Sequence, residues 1–184
     1  MKVRWATQQD APEIQRLIQA AYEEHGFSWE EEGYHSDLYD LEGAYLSGKG
    51  GFWVAEDDEG SILATAGLSV HEPLGGEAGS LSPDLDGLMF FAGADCELVR
   101  MYAWPEARGI GAGKLLFRKA VTEAKRQGCC LMQIWSDKSL VRGHAFYERQ
   151  GAERKGERID ASPDRAEEWG FLLRLDEVRK QEEE

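Results

Sequence analysis

Cysteine, basic residues and long apolar runs are all scarce in this sequence. Its 184 residues include three cysteines, and these form no C-x-x-C pair, because Cys129 and Cys130 are adjacent and Cys96 stands alone. Such a set excludes a disulfide framework and favours a reduced, cytoplasmic compartment. The four histidines are scattered without the spacing of metal-ligand pairs, so no metal site is expected.

Basic residues are outnumbered by acidic ones. Lys and Arg together number 21 against 35 Asp and Glu, which gives a formal net charge of -14 at pH 7. A surface of this charge repels nucleic acid and anionic lipid, so neither is expected as a partner. The same charge favours the approach of a cationic partner, such as an amine or a basic peptide, although it also serves solubility without any partner.

Neither a secretory signal nor a membrane-spanning segment is expected in this sequence. No run approaches the roughly 18 apolar residues of a membrane-spanning helix, and Met1–Asp10 lacks the apolar core of a secretory signal. With 42% hydrophobic residues, the chain is long enough for one sizeable core. We therefore expect one domain over residues 1–176, followed by an acidic C-terminal tail over residues 177–184.

Hydrophobic periodicity and turn residues predict a mixture of strands and helices. Asp10 is the expected N-cap of the first helix, with Glu13 completing a capping box. A glycine-rich segment ends in four apolar residues, Leu88–Phe91, which we interpret as an extension of the next strand; a lid or a dimer contact is the alternative. The predicted strands are Val3–Ala6, Gly51–Glu56, Ile62–Val70, Cys96–Trp104, Cys130–Trp135, Glu153–Ile159 and Trp169–Leu175, and the later helices are Lys114–Gln127 and Leu140–Gln150.

The stretch Cys96–Phe117 combines a strand, a glycine-rich turn and a helix. The turn contains Arg108 and three alternating glycines, Gly109, Gly111 and Gly113, and an apolar helix pattern follows directly. The first amides of a helix lack intrahelical acceptors and lie at the positive end of its dipole, so they bind anions. Glycines let such a backbone approach a phosphate without a Cβ in the way. The stretch therefore predicts a phosphate-binding site.

Two common nucleotide motifs do not fit this turn. A Walker loop needs a hydroxyl side chain after its lysine to hold Mg²⁺, whereas Lys114 is followed by Leu115. A dinucleotide fingerprint needs other glycine offsets and an early βαβ position, whereas this turn lies past the middle of the chain.

Two runs together resemble a known family. Pro105–Gly113, which reads PEARGIGAG, looks like the R-x-x-G-x-G cofactor loop of the GCN5-related N-acetyltransferase (GNAT) family, and Ala145–Gly151, AFYERQG, looks like its A-F-Y-x-x-x-G signature. The resemblance is ungapped across both motifs and extends more loosely over nearly the whole chain. It implies a mixed α/β (α+β) fold with a central, mostly antiparallel sheet of six to seven strands, flanked by about four helices and splayed between strands four and five.

The resemblance also implies an activity and a cofactor contact surface. Members of this family transfer an acetyl group from acetyl-CoA to a primary amine by direct attack in a ternary complex. By analogy, the amide near Met101 polarises the thioester carbonyl as a single-donor oxyanion contact. No metal takes part. The cofactor-binding residues that the resemblance implies are Met101, Tyr102, Ala103, Arg108, Gly109, Ile110, Gly111, Ala112, Gly113, Lys114 and Tyr147.

Two residues are implied as catalytic. Tyr147 stands where the family places the general acid that protonates the departing thiolate, and a phenol, with an ordinary pKa of about 10, keeps its proton at neutral pH. The alternative for Tyr147 is packing on the core through its ring. Glu97, on the same strand face as Met101, stands where some members place the base; a water chain or a solvated acid is the alternative.

Two positions depart from the family pattern. Many members carry an asparagine between the fifth strand and the next helix, but Ser136–Leu140 contains none. That one contact to the cofactor is therefore not expected. Gly143 stands where alanine is common in the family. His144, next to the second motif, is expected to be a surface residue; a side chain that faces the cofactor or the acceptor is the alternative.

These motifs leave the acceptor open. The segment His25–Asp40 alternates aromatic and acidic residues, which suits an ammonium pocket or, equally, a solvated acidic loop with rings packed on the core. Trp29, Tyr34 and Glu97 are the expected substrate-binding residues, and the acceptor is a small cationic amine or a peptide or protein amine. A homodimer is expected. A non-catalytic acyl-CoA-binding or regulatory domain is the alternative function, but the presence of both Tyr147 and Glu97 favours an enzyme.

Overall fold

The computed structural model of the protein describes residues 1–176, so the predicted acidic tail, residues 177–184, lies outside the described residues. A π-helical turn covers Glu42–Leu46. Within the described chain, every helix is too short or too polar to cross a bilayer. The strands are β1 Lys2–Trp5, β2 Gly51–Glu56, β3 Ile62–Val70, β4 Leu81–Pro83, β5 Met89–Phe91, β6 Cys96–Ala103, β7 Leu131–Asp137, β8 Glu153–Ile159 and β9 Glu167–Arg174, and the α-helices are α1 Ala11–His25, α2 Ala112–Arg126 and α3 Val141–Arg149.

Seven of these strands form one sheet, in the order β1-β2-β3-β6-β7-β9-β8. The pairs β1–β2, β2–β3, β7–β9 and β8–β9 are antiparallel. Strands β6 and β7 are parallel, and their register covers Cys96↔Met132 and Glu97↔Gln133. So short a register between the fourth and fifth strands of the order agrees with the predicted splay. The predicted α/β fold, with a mostly antiparallel sheet and about four helical segments, is confirmed.

By their internal contacts the described residues divide into two compact units. The first unit is Met1–Ser69 together with Val99–Glu123, and the second is Val70–Leu98 together with the chain from Ala124 onward. The chain therefore passes from one unit to the other three times.

The core of the first unit is built on the apolar face of α1. Ile14, Leu17 and Ile18 have the spacing of one helix face and are at most 1% exposed. They belong to one cluster with Phe52 and Val54 of β2. Burial of such aliphatic side chains contributes roughly 1.5–3 kcal/mol each to folding.

The start of α1 differs from the predicted capping box. Asp10 is the N-cap residue, as predicted, but its carboxylate accepts the Thr7 N–H at 2.7 Å. Glu13 accepts the N–H of Ile62 at 2.8 Å. The box between Asp10 and Glu13 is therefore wrong, because the Glu13 carboxylate is used by the β3 backbone in the folded protein.

The apolar run Leu88–Phe91 does not extend β6, so that prediction is wrong. Its last three residues form β5 and pair antiparallel with β4. The turn that follows contains Gly93 at φ 79°, a left-handed conformation that interrupts an extended chain. Phe91 is 1% exposed and stacks on Trp135 of β7 with ring centroids 4.9 Å apart. The run is thus a hairpin strand buried against the sheet of the second unit.

Gly170 of β9 leaves room for these two rings. A Cβ built on Gly170 would lie 2.5 Å from the Trp135 ring and 2.7 Å from the Phe91 ring. We expect Gly170→Ala to lower the free energy of unfolding by about 1–3 kcal/mol, because stacked buried rings have no space to retreat. Urea unfolding measures the change.

A matched control for this substitution lies in α3. A Cβ on Gly143 would meet its nearest neighbour, the Tyr147 ring, at 3.8 Å, an ordinary contact. Gly143→Ala should leave stability unchanged or raise it by up to about 1 kcal/mol, since alanine favours the helix. Equal stability of the two alanine variants would contradict the packing argument.

Candidate active site

The glycine-rich turn of the first unit has the geometry of an anion site. A 3₁₀ turn, Pro105–Ala107, follows β6, and Gly109 and Gly111 adopt φ values of 84° and 96°. A Cβ added at either glycine would meet nothing within 4 Å. Backbone conformation, rather than crowding, is therefore what requires glycine here. Helix α2 begins directly afterwards at Ala112, so its first amides are presented to an anion.

Arg108, the basic residue of this turn, forms an ion pair within the first unit. Its guanidinium pairs with the Glu24 carboxylate of α1 through two hydrogen bonds and also donates to the Ala103 carbonyl at 3.3 Å. The Arg108 and Glu24 side chains are 31% and 39% exposed. A pair as exposed as this is worth at most about 1 kcal/mol. An incoming phosphate can therefore replace Glu24 as the partner of Arg108 at small cost.

The end of β6 lies beside this turn within the same unit. A Cβ on Gly113 would lie 3.3 Å from the Met101 methyl carbon, so Met101 contacts the first turn of α2. The Tyr102 ring lies 5.9 Å from the Tyr22 ring of α1. Trp104 donates its backbone N–H to Leu63 of β3 at 3.1 Å. The structure thus brings together the predicted strand contacts and the predicted phosphate turn.

Arg100, one residue before Met101, has a strained backbone. Its φ of 52° lies in the left-handed region, and Arg165 is the other non-glycine residue with positive φ in the described chain. This conformation costs a non-glycine residue roughly 1–2 kcal/mol. The Arg100 carbonyl accepts the hydroxyl of Thr65, a fully buried residue, at 2.8 Å. Arg100 was assigned no role from the sequence, since nothing local predicts this strain.

In the acidic and aromatic segment between α1 and β2, the aromatic rings pack inside the protein. The Trp29 ring stacks on His35 with centroids 3.9 Å apart, and the Arg100 guanidinium lies 5.1 Å from the Tyr34 centroid. Both rings pack against the core cluster of the first unit, while Glu30, Glu31 and Glu32 are exposed. The rings therefore pack on the core, as in the second of the two interpretations, but Trp29 and Tyr34 are half-buried rather than fully buried. The acceptor-binding roles of Trp29 and Tyr34 remain predictions.

His35 is the buried centre of that aromatic group. It is 0% exposed, and its Nδ1 accepts the Glu30 N–H at 3.1 Å. Burial, with a smaller effect of the Arg100 charge, lowers the pKa of His35 to about 4. The ring is therefore neutral near pH 7, and its Nε2 has no hydrogen-bond partner among the described residues. Its edge faces Tyr22, with centroids 4.6 Å apart.

In the second unit, Glu97 is held by a buried amide. Gln133, 0% exposed, donates through Nε2 to Glu97 Oε2 at 2.9 Å. The other end of the amide, Oε1, accepts the Phe91 N–H at 3.1 Å. The Phe91 N–H of β5 therefore determines the orientation of the Gln133 amide. Glu97 itself is half-buried on β6. Gln133 was not predicted as a site residue, because its two partners are distant in sequence.

A buried ion pair shares the second unit with Glu97. Arg158 of β8 donates to Glu168 of β9 at 2.6 Å, and the two side chains are 7% and 8% exposed. The Arg158 guanidinium lies 4.3 Å from the Trp135 ring centroid. Burial raises the pKa of Glu168 to about 7 despite the adjacent Arg158, and the charges of Asp160 and Glu97 add to the increase.

Tyr147, the predicted general acid, lies on α3 in the second unit. It is 8% exposed, and its ring contacts the Phe171 and Phe146 rings, each with centroids 5.7 Å apart. Ring packing on the core, the alternative for this residue, is therefore present. Such packing fixes the ring direction and is compatible with a role for the hydroxyl.

His144 is buried, so the prediction of a surface residue is wrong. It is 3% exposed, its Nε2 lies 2.9 Å from the Asp137 carbonyl oxygen, and its ring packs on Phe171. Burial lowers the pKa of His144. The residue points from α3 onto the sheet, a direction that the neighbouring motif alone did not indicate.

Three potential metal ligands, the adjacent Asp95 and Cys96 and the distant Cys129, lie together in the second unit. Oxygen and sulfur atoms of Asp95, Cys96 and Cys129 all lie within 4.8 Å of one another. The Asp95 carboxylate already accepts the N–H groups of Cys130 and Leu131 at 2.8 and 3.1 Å. That no metal is required stays a prediction.

The chain matches the sequence model of the Acetyltransferase (GNAT) family over residues 14–152. It is 29% identical over 154 residues to YjgM, an uncharacterized N-acetyltransferase of Escherichia coli (strain K12), and this match covers 82% of the chain and 81% of that protein.

Two solved structures illustrate the likeness of the fold. An acetyltransferase of the GNAT family from Staphylococcus aureus Mu50 gives a TM-score of 0.73 at 17% identity and covers 95% of this chain and 98% of its own. The Salmonella typhimurium protein YncA, solved with its cofactor acetyl-CoA, gives a TM-score of 0.68 at 18% identity and covers 96% and 94%.

Proposed function

The chain belongs to the acetyltransferase (GNAT) family and is an acetyl-CoA-dependent N-acetyltransferase, and from this premise we propose that it acetylates a primary amine by direct attack in a ternary complex. The observation that carries the proposal is the turn in which Gly109 and Gly111, both at positive φ, lead directly into α2. This geometry supplies backbone donors for a pyrophosphate, the group that distinguishes CoA from a simple thioester.

The cofactor contacts are assigned to the first unit. Backbone amides from Arg108 to Lys114 hold the pyrophosphate, and the Arg108 guanidinium exchanges Glu24 for a phosphate oxygen. Backbone groups of Met101, Tyr102 and Ala103 bind the pantetheine arm. The Met101 amide donates to the thioester carbonyl and stabilises the negative charge that develops on it.

The proton transfers are assigned to Glu97 and Tyr147. Acetyl-CoA supplies the acetyl group as an activated thioester. Glu97, oriented by Gln133, removes a proton from the acceptor ammonium, which frees the nitrogen lone pair for attack at the carbonyl carbon. As the carbon–sulfur bond breaks, Tyr147 donates its phenolic proton to the departing thiolate, and the second proton that the attacking nitrogen loses restores the phenol. The products are then an N-acetyl amide and CoA.

The acceptor class follows from charge. A net charge of -14 attracts a cationic acceptor, which is a small amine or a peptide or protein amine. Trp29 and Tyr34, with the exposed acids near them, and Glu97 are assigned to its binding.

The organisation of the chain completes the proposal. Residues 1–176 act as one acetyltransferase domain, which is supported by the three passages of the chain between its units and by a family match that includes residues of both. A cytoplasmic location is supported by the three free cysteines. A homodimer is the proposed state in solution.

An amine panel tests the activity. The protein, given acetyl-CoA with a polyamine, an aminoglycoside, amino acids or a basic peptide, is expected to release CoA thiol, which a thiol-reactive chromophore reports. Binding of acetyl-CoA without thiol release on any of these amines would contradict the proposed acceptor class.

The cofactor turn is tested separately through binding. We expect the double variant Arg108→Ala, Gly111→Ala to bind acetyl-CoA tenfold or more weakly, about 1.4 kcal/mol, measured by titration calorimetry. The phosphate loses its side-chain partner, and alanine resists the φ of 96° at residue 111. Gly60→Ala is the matched control, since Gly60 has φ 90° and open space around it but lies in the β2–β3 turn. An unaltered affinity in the folded double variant would remove the turn from the cofactor site.

A further inference from the structure

Arg100 keeps a left-handed backbone, φ 52°, in the middle of β6. Strands are extended, so a left-handed residue inside one interrupts the regular alternation of its amides. The peptide plane between Arg100 and Met101 begins at the Arg100 Cα. The backbone angles of Arg100 therefore set the direction in which the Met101 N–H points.

Residues of the loop between α1 and β2 hold Arg100 in place. Its guanidinium donates to both Asp37 oxygens, from Nε at 2.9 Å and from one terminal nitrogen at 2.7 Å. The same terminal nitrogen donates to the Tyr34 carbonyl at 2.5 Å, and Tyr45 donates its hydroxyl to Asp37 at 2.5 Å. We call Arg100, Asp37, Tyr34 and Tyr45 the Arg100 clamp.

The clamp is well protected from solvent. The Arg100 and Asp37 side chains are 11% and 22% exposed, and Tyr45 is 7% exposed. Bidentate pairing of a guanidinium with a carboxylate defines a direction as well as a distance. A strained residue persists where its surroundings over-determine it, and such residues cluster at functional sites. Here the surroundings are three side-chain hydrogen bonds, the Tyr34 ring and the Thr65 hydroxyl bond to the Arg100 carbonyl.

We infer that the Arg100 clamp positions the Met101 amide for the thioester carbonyl, so that recognition of the acetyl group depends on the loop between α1 and β2. Arg100 is a positioning residue in this role, because it acts through the next amide. The inference rests on the proposed use of acetyl-CoA. It extends that function. The loop between α1 and β2 contains Tyr34, which is assigned to the acceptor, and this loop must be ordered for the Met101 amide to polarise the thioester carbonyl.

Asp37→Asn tests the Arg100 clamp through acetyl-CoA binding, with no amine substrate present. The substitution removes the charge and one of the two acceptor oxygens for Arg100 but changes no group assigned to the pyrophosphate. We expect acetyl-CoA to bind about fivefold more weakly, the value of one lost hydrogen bond, while the Kd of CoA changes by less than about twofold. In isotope-edited infrared spectra, the thioester carbonyl band of bound acetyl-CoA should lie at higher frequency in the variant than in the wild type.

Asp10→Asn is the matched control. Asp10 forms a bidentate pair with Arg4 at 2.8 Å for each contact, also in the first unit but on α1 and β1. This variant should lose a similar ion pair and keep both the affinity for acetyl-CoA and the carbonyl band of the wild type. A change of the same size in both variants would show a general effect of lost stability and would overturn the inference.

A second pair of variants separates the backbone from the side chain and serves if Asp37→Asn does not fold. Arg100→Gly and Arg100→Ala both lose the guanidinium, but glycine adopts positive φ freely and alanine does not. The alanine variant should bind acetyl-CoA more weakly than the glycine variant, with equal affinity for CoA. Identical acetyl-CoA affinities and carbonyl bands would overturn the inference and leave the proposed function intact. Failure of the wild type to bind acetyl-CoA would instead remove the proposed function.

Discussion

Tyr147→Phe is expected to lower kcat about a hundredfold while changing the Kd of acetyl-CoA by less than about twofold. A positioned general acid contributes typically 10²–10⁴-fold to a rate, and phenylalanine lacks the proton that Tyr147 is proposed to give to the thiolate. The ring packing on Phe171 and Phe146 is retained, so the helix should keep its position. Steady-state release of CoA thiol with the best acceptor of the panel gives kcat, and calorimetry gives the Kd.

Tyr22→Phe provides the comparison for this substitution. Tyr22 and Tyr147 are 7% and 8% exposed, so each variant loses one hydroxyl from a largely buried ring. Turnover of the Tyr22 variant should stay within about twofold of the wild type. Equal turnover in the wild type and the Tyr147 variant would leave the ring with a packing role and transfer protonation of the thiolate to another group.

The second large effect concerns the dependence of stability on pH through Glu168. Burial raises its pKa from 4.5 to about 7 in the folded protein. Between these values the unfolded chain has lost the proton and the native state still binds it. The native state binds more protons, so stability falls as pH rises through this window. Full loss amounts to about 3 kcal/mol, from 1.36 kcal/mol per pKa unit.

Glu168→Gln isolates this contribution. The amide keeps a hydrogen-bond acceptor for Arg158 but does not titrate. We expect the stability of the wild type relative to the variant, from urea unfolding, to fall as pH rises from about 5 to about 8. A relative stability that is flat or rises over this range would show that the Arg158 charge outweighs burial.

The cofactor turn was predictable from sequence because its signals are local. Positive φ at Gly109 and Gly111 follows from the residue type, and the start of α2 follows from the apolar periodicity after it. The same is true of α1, whose helical spacing buries Ile14 and Leu17 on one face. Predictions that needed only residue type and neighbours in the chain were confirmed for these elements. The capping box between Asp10 and Glu13 is the exception, because Glu13 accepts the N–H of Ile62.

Predictions that depended on residues distant in sequence were wrong or were not made. The run Leu88–Phe91 is apolar in any arrangement, and the choice between a hairpin and an extension of β6 depends on pairing with β4. His144 is a polar residue, but it is buried because the Asp137 carbonyl oxygen lies within hydrogen-bond distance of its ring and the Phe171 ring packs against it. Arginine does not favour positive φ, so residue type does not predict the strained backbone of Arg100. The ion pair with Asp37, 63 residues away in sequence, explains it.

The sequence by itself determined the family, the glycine-rich turn and the order of the three α-helices and the seven strands of the main sheet, because each is encoded by residue type and short-range spacing. The tertiary structure decided how the remaining groups are used. It paired Arg108 with Glu24, made the Gln133 amide orient Glu97, and moved the pKa of Glu168. The physical reason is that hydrogen-bond geometry and burial depend on groups brought together by folding, whereas φ preference and hydrophobic periodicity belong to the chain itself.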